Sequence, residues 1–323
     1  MNIKLDLYDR KLLYELDKDA SQSISRLAKK LRRSKQFILY RMKKFEEEKI
    51  ITGYQAIVDM SKLGYFTFRV YFKFQQMTKG EEEKFMSYTK NNLDKVWTIT
   101  SMHGKWDCAL FLGVNSINEL HETWDNIMLH YKNKIKSYNI SIYAPIHNFN
   151  RRFFLEAVNE KIEVIERIYG DGKREEIEER DWRLIKAYAN NIRQSSLELA
   201  RKLNLSPETV RKRIKNLEKR KIIVGYKIGL NTDRLGYDTY RIDLHLSSTS
   251  QNKKLFNYCK NHKNVYQINN SIGGADFEIE IGVNDFFHMI KLVDEIKEEF
   301  KEVVNDTDYF GFSTFHILRY IPD

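Results

Sequence analysis

The sequence predicts an α+β chain assembled twice from one plan, and three observations carry that expectation. The first is a gap-free internal repeat. Leu27-Ala28, Leu31, Ser34, Arg41, Gly53-Tyr54 and Leu63-Gly64-Tyr65 recur in order as Leu199-Ala200, Leu203, Ser206, Arg213, Gly225-Tyr226 and Leu235-Gly236-Tyr237, the mark of a tandem duplication. The second is a change of period inside each copy, from apolar residues at helical spacing to apolar residues at every second position. The third is the placement of charge. The segment Asp6 to Tyr54 holds 13 basic and 8 acidic residues, and Glu179 to Tyr226 holds 13 and 5. Together these segments exceed the whole net charge of +10, so the remainder is acidic on balance and the basic segments are the ones suited to meet phosphates.

Each basic segment reads as a helix-turn-helix. In the second copy Leu199, Ala200 and Leu203 lie at helical spacing, and Leu205-Ser206-Pro207 then opens a new helix. Ser206 can accept a free backbone N–H of the first turn, and Pro207 occupies the first helical position, where no N–H is needed. Leu205 and Val210 occupy the two positions of a hydrophobic staple. Val210, Ile214 and Leu217 would bury one face, leaving Arg211, Lys212 and Lys215 on the other. In the first copy Leu12, Leu13 and Leu16 mark a leading helix, Ile24 to Leu31 the next, and Ser34 the cap of a third running to about Glu48. Ile38, Met42 and Phe45 would face inward, and Lys35, Gln36, Tyr40 and Lys43 outward. The staple position is Arg33 here, which predicts a looser turn.

Beyond each basic segment the alternation becomes that of strands. Phe66, Phe68, Val70, Phe72 and Phe74 alternate with Thr67, Arg69, Tyr71 and Lys73, the pattern of a half-buried strand. A helix over 80–92, strands over 96–102 and 106–114, a helix over 116–131 and a strand over 137–143 follow. The second copy repeats the order with a strand over 237–246, a helix over 252–261, strands over 265–271 and 277–283, a helix over 285–300 and a last strand ending near Tyr320. Strand, helix, strand, strand, helix, strand is the ferredoxin-like βαββαβ arrangement. The predicted division is 1–60 and 179–232 for the helix-turn-helix units, 61–148 and 233–323 for the sheet units, and 149–178 for a charged connector broken by Gly170-Asp171-Gly172.

Composition excludes several classes. Hydrophobic content of 42% and aromatic content of 13% belong to a globular chain. There is no apolar run of membrane-spanning length, and the N-terminal stretch lacks the apolar core of a signal peptide. The two cysteines, Cys108 and Cys259, form neither a disulfide framework nor a metal motif. The expectation is a cytoplasmic, nucleoid-associated protein with no cofactor and no metal.

These residues resemble a known family. Leu7-Tyr8-Asp9 through Leu12-Leu13, the segment LAKKL, Ser34, Arg41 and Ile50-Ile51-Thr52-Gly53-Tyr54 are similar to the winged helix-turn-helix of the Lrp/AsnC (leucine-responsive, feast/famine) regulators. The second copy, LARKLNLSPETVRKRIKNLE with IIVGY, is the closer match. The resemblance implies transcription regulators that dimerise through their sheet domains, assemble further and respond to small effectors, commonly amino acids. Its glycine turn with a following aspartate corresponds here to Gly104-Lys105-Trp106-Asp107 and Gly273-Gly274-Ala275-Asp276. The family's usual members carry one copy per chain, and this chain departs by fusing two.

The expected function is therefore sequence-specific binding of double-stranded DNA. Arg32, Arg33, Lys44, Arg201, Lys202 and Arg213 would contact phosphates, which positions without specifying. Lys35, Gln36 and Tyr40 in one copy, and Pro207, Glu208, Arg211 and Lys212 in the other, would face the bases, with Lys43 and Lys215 on the same outward faces as further DNA-binding residues. The two reading faces differ, so one chain is expected to read two unlike half-sites. Gly104, Asp107, Gly273, Gly274 and Asp276 are the candidate effector-binding residues, the second turn being the more open because Ala275 stands where the first copy has Trp106. The two sheet units are expected to pair within one chain. Two other classes stand beside this one. A tetrapyrrole (siroheme) decarboxylase-like enzyme on the same scaffold would draw its acid or base from His103, His121, His130 or His147. A non-specific chromatin organiser would use the same basic faces without base preference.

Overall fold

The computed structural model describes residues 3–155, 162–170, 172–318 and 321. Asp171 of the predicted connector break and Tyr320, the predicted end of the last strand, lie outside the described residues, as does the connector segment 156–161. The first copy begins with helices α1 (Leu7–Lys18), α2 (Ile24–Leu31) and α3 (Lys35–Glu47), then strand β1 (Ile51–Val58). Side-chain caps start all three helices. Asp6 and Asp9 form a reciprocal capping box on α1, and Ser23 and Ser34 each accept a first-turn backbone N–H. The sheet unit follows as β2 (Phe66–Phe74), α4 (Lys79–Asn92), β3 (Val96–Gly104), β4 (Cys108–Val114), α5 (Ile117–Tyr131) and β5 (Ile135–Phe149).

Within the described residues of the connector, Arg152–Leu155 forms a 3₁₀ turn and β6 (Glu166–Tyr169) pairs antiparallel with the end of β5. The second copy then repeats the plan. Its helix-turn-helix comprises α6 (Glu179–Tyr188), α7 (Ser196–Leu203), α8 (Pro207–Lys219) and β7 (Ile223–Leu230). Its sheet unit comprises β8 (Asp238–Leu246), α9 (Asn252–Asn261), β9 (Val265–Ile272), β10 (Phe277–Val283), α10 (Phe286–Glu299) and β11 (Val304–Leu318).

The copies join through backbone edges. The row β2-β4-β3-β11-β8-β10-β9-β5 returns to its start because β5 also pairs with β2, so the sheet closes into a barrel with β6 outside the ring. Closure removes the free edges that a separate sheet would expose. The two long strands make it possible. The first half of β5 pairs with β2 of its own copy (Phe72 opposite Tyr138), and its second half pairs with β9 of the other (His147 opposite Ile268). In the same way β11 pairs first with β8 and then with β3. The strands β1 and β7 form a separate antiparallel pair, with Gln55 opposite Lys227.

Closure changes the reading of β2. The alternation predicts a half-buried strand; Arg69 and Tyr71 on its second face are buried as well, while Phe66 is half exposed. Both faces of this strand are covered. The outward face packs under α4 and α5 with Phe68, Val70 and Phe72, and the inward face lies inside the barrel. There the first copy contributes an apolar cluster of Tyr71, Met102, Ala109 and Phe310. The second contributes charge. Arg69 Nη2 lies 2.8 Å and Nη1 3.1 Å from the Glu278 carboxylate. Arg241 donates from Nε to Asp243 at 2.8 Å and forms an ion pair with Glu278 Oε2, the oxygen that Arg69 Nη1 also meets. Register explains the asymmetry: Tyr71 pairs with Ala109 on β4, and at the corresponding places of the second copy Asp243 pairs with Glu278 on β10.

Burial alone would raise the pKa of Glu278, but Arg241 and Arg69 outweigh it and hold the carboxyl at about 2. A carboxyl depressed in the folded state contributes stability above its unfolded pKa, and that contribution disappears as pH falls from the usual carboxylate range toward 2. Glu278→Gln leaves two buried guanidinium groups short of their counter-charge and is expected to destabilise the chain by about 3–5 kcal/mol in denaturant unfolding at pH 7. The deficit should shrink as pH is lowered through that window.

Candidate nucleic-acid interface and the sites around it

The two helix-turn-helix units share one apolar core. Leu12, Leu13 and Phe45 of the first and Leu184, Leu199 and Leu217 of the second belong to one cluster, and β1 pairs with β7 between them. The reading helices α3 and α8 are therefore held on one body. Val210 and Leu217 are buried as the spacing predicts, and Ile214 packs partly buried.

On the opposite faces Lys35, Gln36, Tyr40 and Lys43 of α3 are exposed, as are Glu208, Arg211, Lys212 and Lys215 of α8, with Pro207 half-buried at the helix start. Arg32, Arg33, Arg201 and Lys202 are exposed beside them, and Lys44 is half-buried. Lys212 shares its charge with Glu208 one turn away at 2.9 Å, and Lys43 with Glu47 at 3.5 Å. Such exposed pairs are weak and can yield to a phosphate. Around the turn before α3, Lys29, Arg32, Arg33 and Lys35 rim a shallow depression at the helix N-terminus, an arrangement suited to an anion. Where the staple is missing, the Arg33 guanidinium lies 4.0 Å over the Tyr8 ring.

Arg213 departs from its expected role as a phosphate contact. Its guanidinium is 2.7 Å from Asp181 and 3.0 Å from Glu178, and Arg41 makes the matching contacts at 2.8 Å with Asp9 and Asp6. Both arginines clamp a reading helix to the first helix of its own unit.

The glycine turns also depart from expectation. Asp107 accepts from the backbone N–H of Phe74 at 2.8 Å and from Lys73 at 2.7 Å. Asp276 accepts from the N–H of Leu246 at 2.8 Å. Both aspartates fasten their hairpin to a neighbouring strand and are not turned toward a ligand. Gly104 and Gly273 have positive φ, and a Cβ on Gly273 would stand 2.7 Å from the carbonyl of Ile140. At Gly274 a Cβ would meet the Glu278 carboxylate at 2.1 Å, and that carboxylate accepts from the N–H of Ala275 at 3.1 Å and the hydroxyl of Ser271 at 2.8 Å. The second turn, expected to be open, is thus filled by the protein's own acid. In the first turn Trp106 stacks on Tyr71 with ring centroids 5.7 Å apart.

Open space lies elsewhere, in a cavity of about 690 Å³ between the β1–β7 pair and the mouth of the barrel. Lys227 on β7 borders it, while its neighbour Ile228 points into the helix-turn-helix core. Sequence periodicity missed this site because its walls come from both copies and from the connector, and their only sequence signal is a lone lysine inside an apolar strand. The histidines considered for catalysis do not meet there: none lines the cavity. His103, His121 and His130 are exposed, and His147 pairs with Glu166 at 2.9 Å. Among the described residues no group of three or more His, Cys, Asp or Glu side chains is placed to hold a metal ion, and no helix is long and apolar enough to cross a membrane.

Known proteins agree with this architecture. A family model for winged helix-turn-helix DNA-binding domains matches residues 5–52 and again 177–224. The HTH-type transcriptional regulator LrpA of Pyrococcus horikoshii is 41% identical over 66 residues, 20% of this chain and 47% of that protein. An uncharacterised HTH-type transcriptional regulator of Pyrococcus furiosus is 34% identical over 80 residues, 25% of this chain and 52% of that protein. The chain thus spans about half the length of these relatives. Over nearly its full length it shares a fold with the siroheme decarboxylase NirDL, at 15% identity and a TM-score of 0.64, covering 98% of this chain and 94% of that one. Two winged helix-turn-helix units on a duplicated ferredoxin-like sheet define the class. The chain carries two winged helix-turn-helix DNA-binding domains, similar to that of the Lrp-type regulators it matches.

Two outcomes are expected from these contacts. Arg213→Leu should lower stability by about 1–2 kcal/mol, a partly exposed charge-assisted pair being lost, while leaving the salt slope of DNA binding unchanged in filter or anisotropy titrations. Burial, with Arg151 and Arg167 nearby, depresses Lys227 from 10.5 to about 7, so between those values folding must release a proton that the unfolded chain holds. Stability in calorimetric scans should therefore rise with pH from 7 toward 10.5, and Lys227→Met should flatten that rise.

Proposed function

We propose that the chain is a sequence-specific DNA-binding transcription regulator whose two reading helices engage unlike half-sites. The observation that carries this reading is that α3 and α8 present basic, solvent-facing surfaces of different composition from one shared core. Lys29, Arg32, Arg33, Arg201 and Lys202 supply the phosphate contacts that set register. Gln36 and Tyr40 face the bases from α3, and Arg211, Lys212 and Lys215 from α8. Arginine suits the paired acceptors of guanine and glutamine the acceptor and donor pair of adenine, so the two faces favour different sequences. The sheet pairing that the resemblance assigns to two separate subunits is made here between two halves of one chain, so a single chain carries both reading heads.

The experiment is a genome-wide occupancy map followed by titration on a recovered site. Discrete peaks and a specificity ratio well above unity are expected. Broad even coverage would favour a chromatin organiser. No binding, together with decarboxylation of an iron-uroporphyrin-type tetrapyrrole, would overturn the reading in favour of an enzyme. Replacing Arg211 and Lys212 together should weaken binding more than replacing Lys35 and Lys43, each lost phosphate contact reducing the log–log salt slope by about 0.9; equal losses would refute the inequality of the two heads.

A further inference from the structure

The turns that lead into α3 and α8 are built differently. Before α8 stands Leu205, partly buried against the shared apolar core that also takes Val210. The same place in the first copy is Arg33, and the place of Arg180 is Tyr8. The Arg33 guanidinium lies 4.0 Å from the centroid of the Tyr8 ring and 5.8 Å from that of Phe37. The two rings meet edge to face at 5.9 Å. An arginine resting on aromatic rings thus stands where the second copy has a leucine.

The way an arginine is held decides how much of its charge is left for a ligand. Arg41 is held by two carboxylates at 2.8 Å, and Arg213 by two at 2.7 and 3.0 Å. Those contacts neutralise them. A ring attracts a guanidinium through its quadrupole and carries no net charge. The N–H edge of a stacked arginine therefore stays positive and open to a second partner. Arg33 is exposed, and its described contacts are with rings. Its exposed neighbour Arg32 ends α2 in the left-handed region, with φ of 52°, where the second copy has Asn204 at 53°. Asparagine visits that region more readily than a long side chain does, so backbone preference does not account for an arginine there. Lys29 and Lys35 stand on the rim of the same turn.

We propose that Tyr8 is a positioning residue for DNA binding. Its ring holds Arg33 at the α2–α3 turn, and the free edge of the guanidinium grips a phosphate of the duplex backbone. An arginine fixed beforehand loses less side-chain freedom when it meets its partner. Arg180 and Leu205, the corresponding pair, cannot make this contact, so the first head carries an anchor that the second lacks. The proposal rests on the DNA-binding reading but not on sequence specificity, because a phosphate contact positions without specifying.

The test is anisotropy titration of the full chain, over a range of salt, on a random-sequence duplex and on a site recovered from the occupancy map. Tyr8→Leu should weaken binding to both by about two- to fivefold at low salt and leave their ratio unchanged. Tyr8→Phe keeps the ring and should bind as the unaltered chain does. Arg33→Gln should lower the log–log salt slope by about 0.9. In that background Tyr8→Leu should have no further effect, the mark of a residue that acts through another. Tyr8→Gln takes the place of Tyr8→Leu should the latter fail to fold. Unchanged binding by Tyr8→Leu, loss in Tyr8→Phe, or an undiminished effect of Tyr8→Leu beside Arg33→Gln would overturn the proposal and leave DNA binding standing. Binding of neither duplex by the unaltered chain would overturn both.

Discussion

Two arginines buried inside one barrel remain charged because Glu278 stands between them. Its two oxygens serve Arg69 from the first copy and Arg241 from the second, so the same carboxylate that neutralises the interior also ties the halves together. Removing a charge from water costs several kcal/mol, and here that cost is offset by bidentate contacts and by Asp243, Ser271 and the N–H of Ala275. The arrangement could not be symmetrical. An acid at the place of Ala109 and another at the place of Tyr71 would crowd four more carboxylate oxygens around the same two cations. The first copy instead fills its half with aromatic rings, and Trp106 on Tyr71 belongs to that filling.

Backbone pairing fixes the rest. Because β5 and β11 each begin in their own copy and end in the other, the barrel closes only when both copies are folded and in register. The β1–β7 pair and the shared apolar core then lock the reading helices to the same frame. A fused chain can let its two heads diverge, since each position is encoded separately. The different outward faces of α3 and α8, and the unlike turns that precede them, are two results of that freedom.

Much of this was legible from residues alone. The duplication, the capped helices, the basic outward faces and the order of strands follow from local chemistry: an N-cap serine satisfies the backbone beside it, and periodicity reports which face is apolar. The helix-turn-helix core residues Ile38, Met42, Phe45, Val210 and Leu217 are buried as their spacing requires. Arg213 reads from the sequence as a phosphate contact, because a cation at helical spacing looks alike whether it meets phosphate or a carboxylate on another helix.

What the sequence by itself determined is therefore the set of elements and their amphipathic faces, which depend on interactions within a few residues. Only the tertiary structure decided where polar residues on a strand would go. Alternation places Arg69, Tyr71 and Arg241 on the face opposite the helices, and water is the default partner for such a face. Closure of the sheet replaced water with the strands of the other copy. The same closure turned Asp107 and Asp276 into hairpin fasteners and made a cavity whose lining is drawn from positions far apart in the chain. No local pattern encodes that juxtaposition, because its energy resides in contacts that exist only after both halves have met.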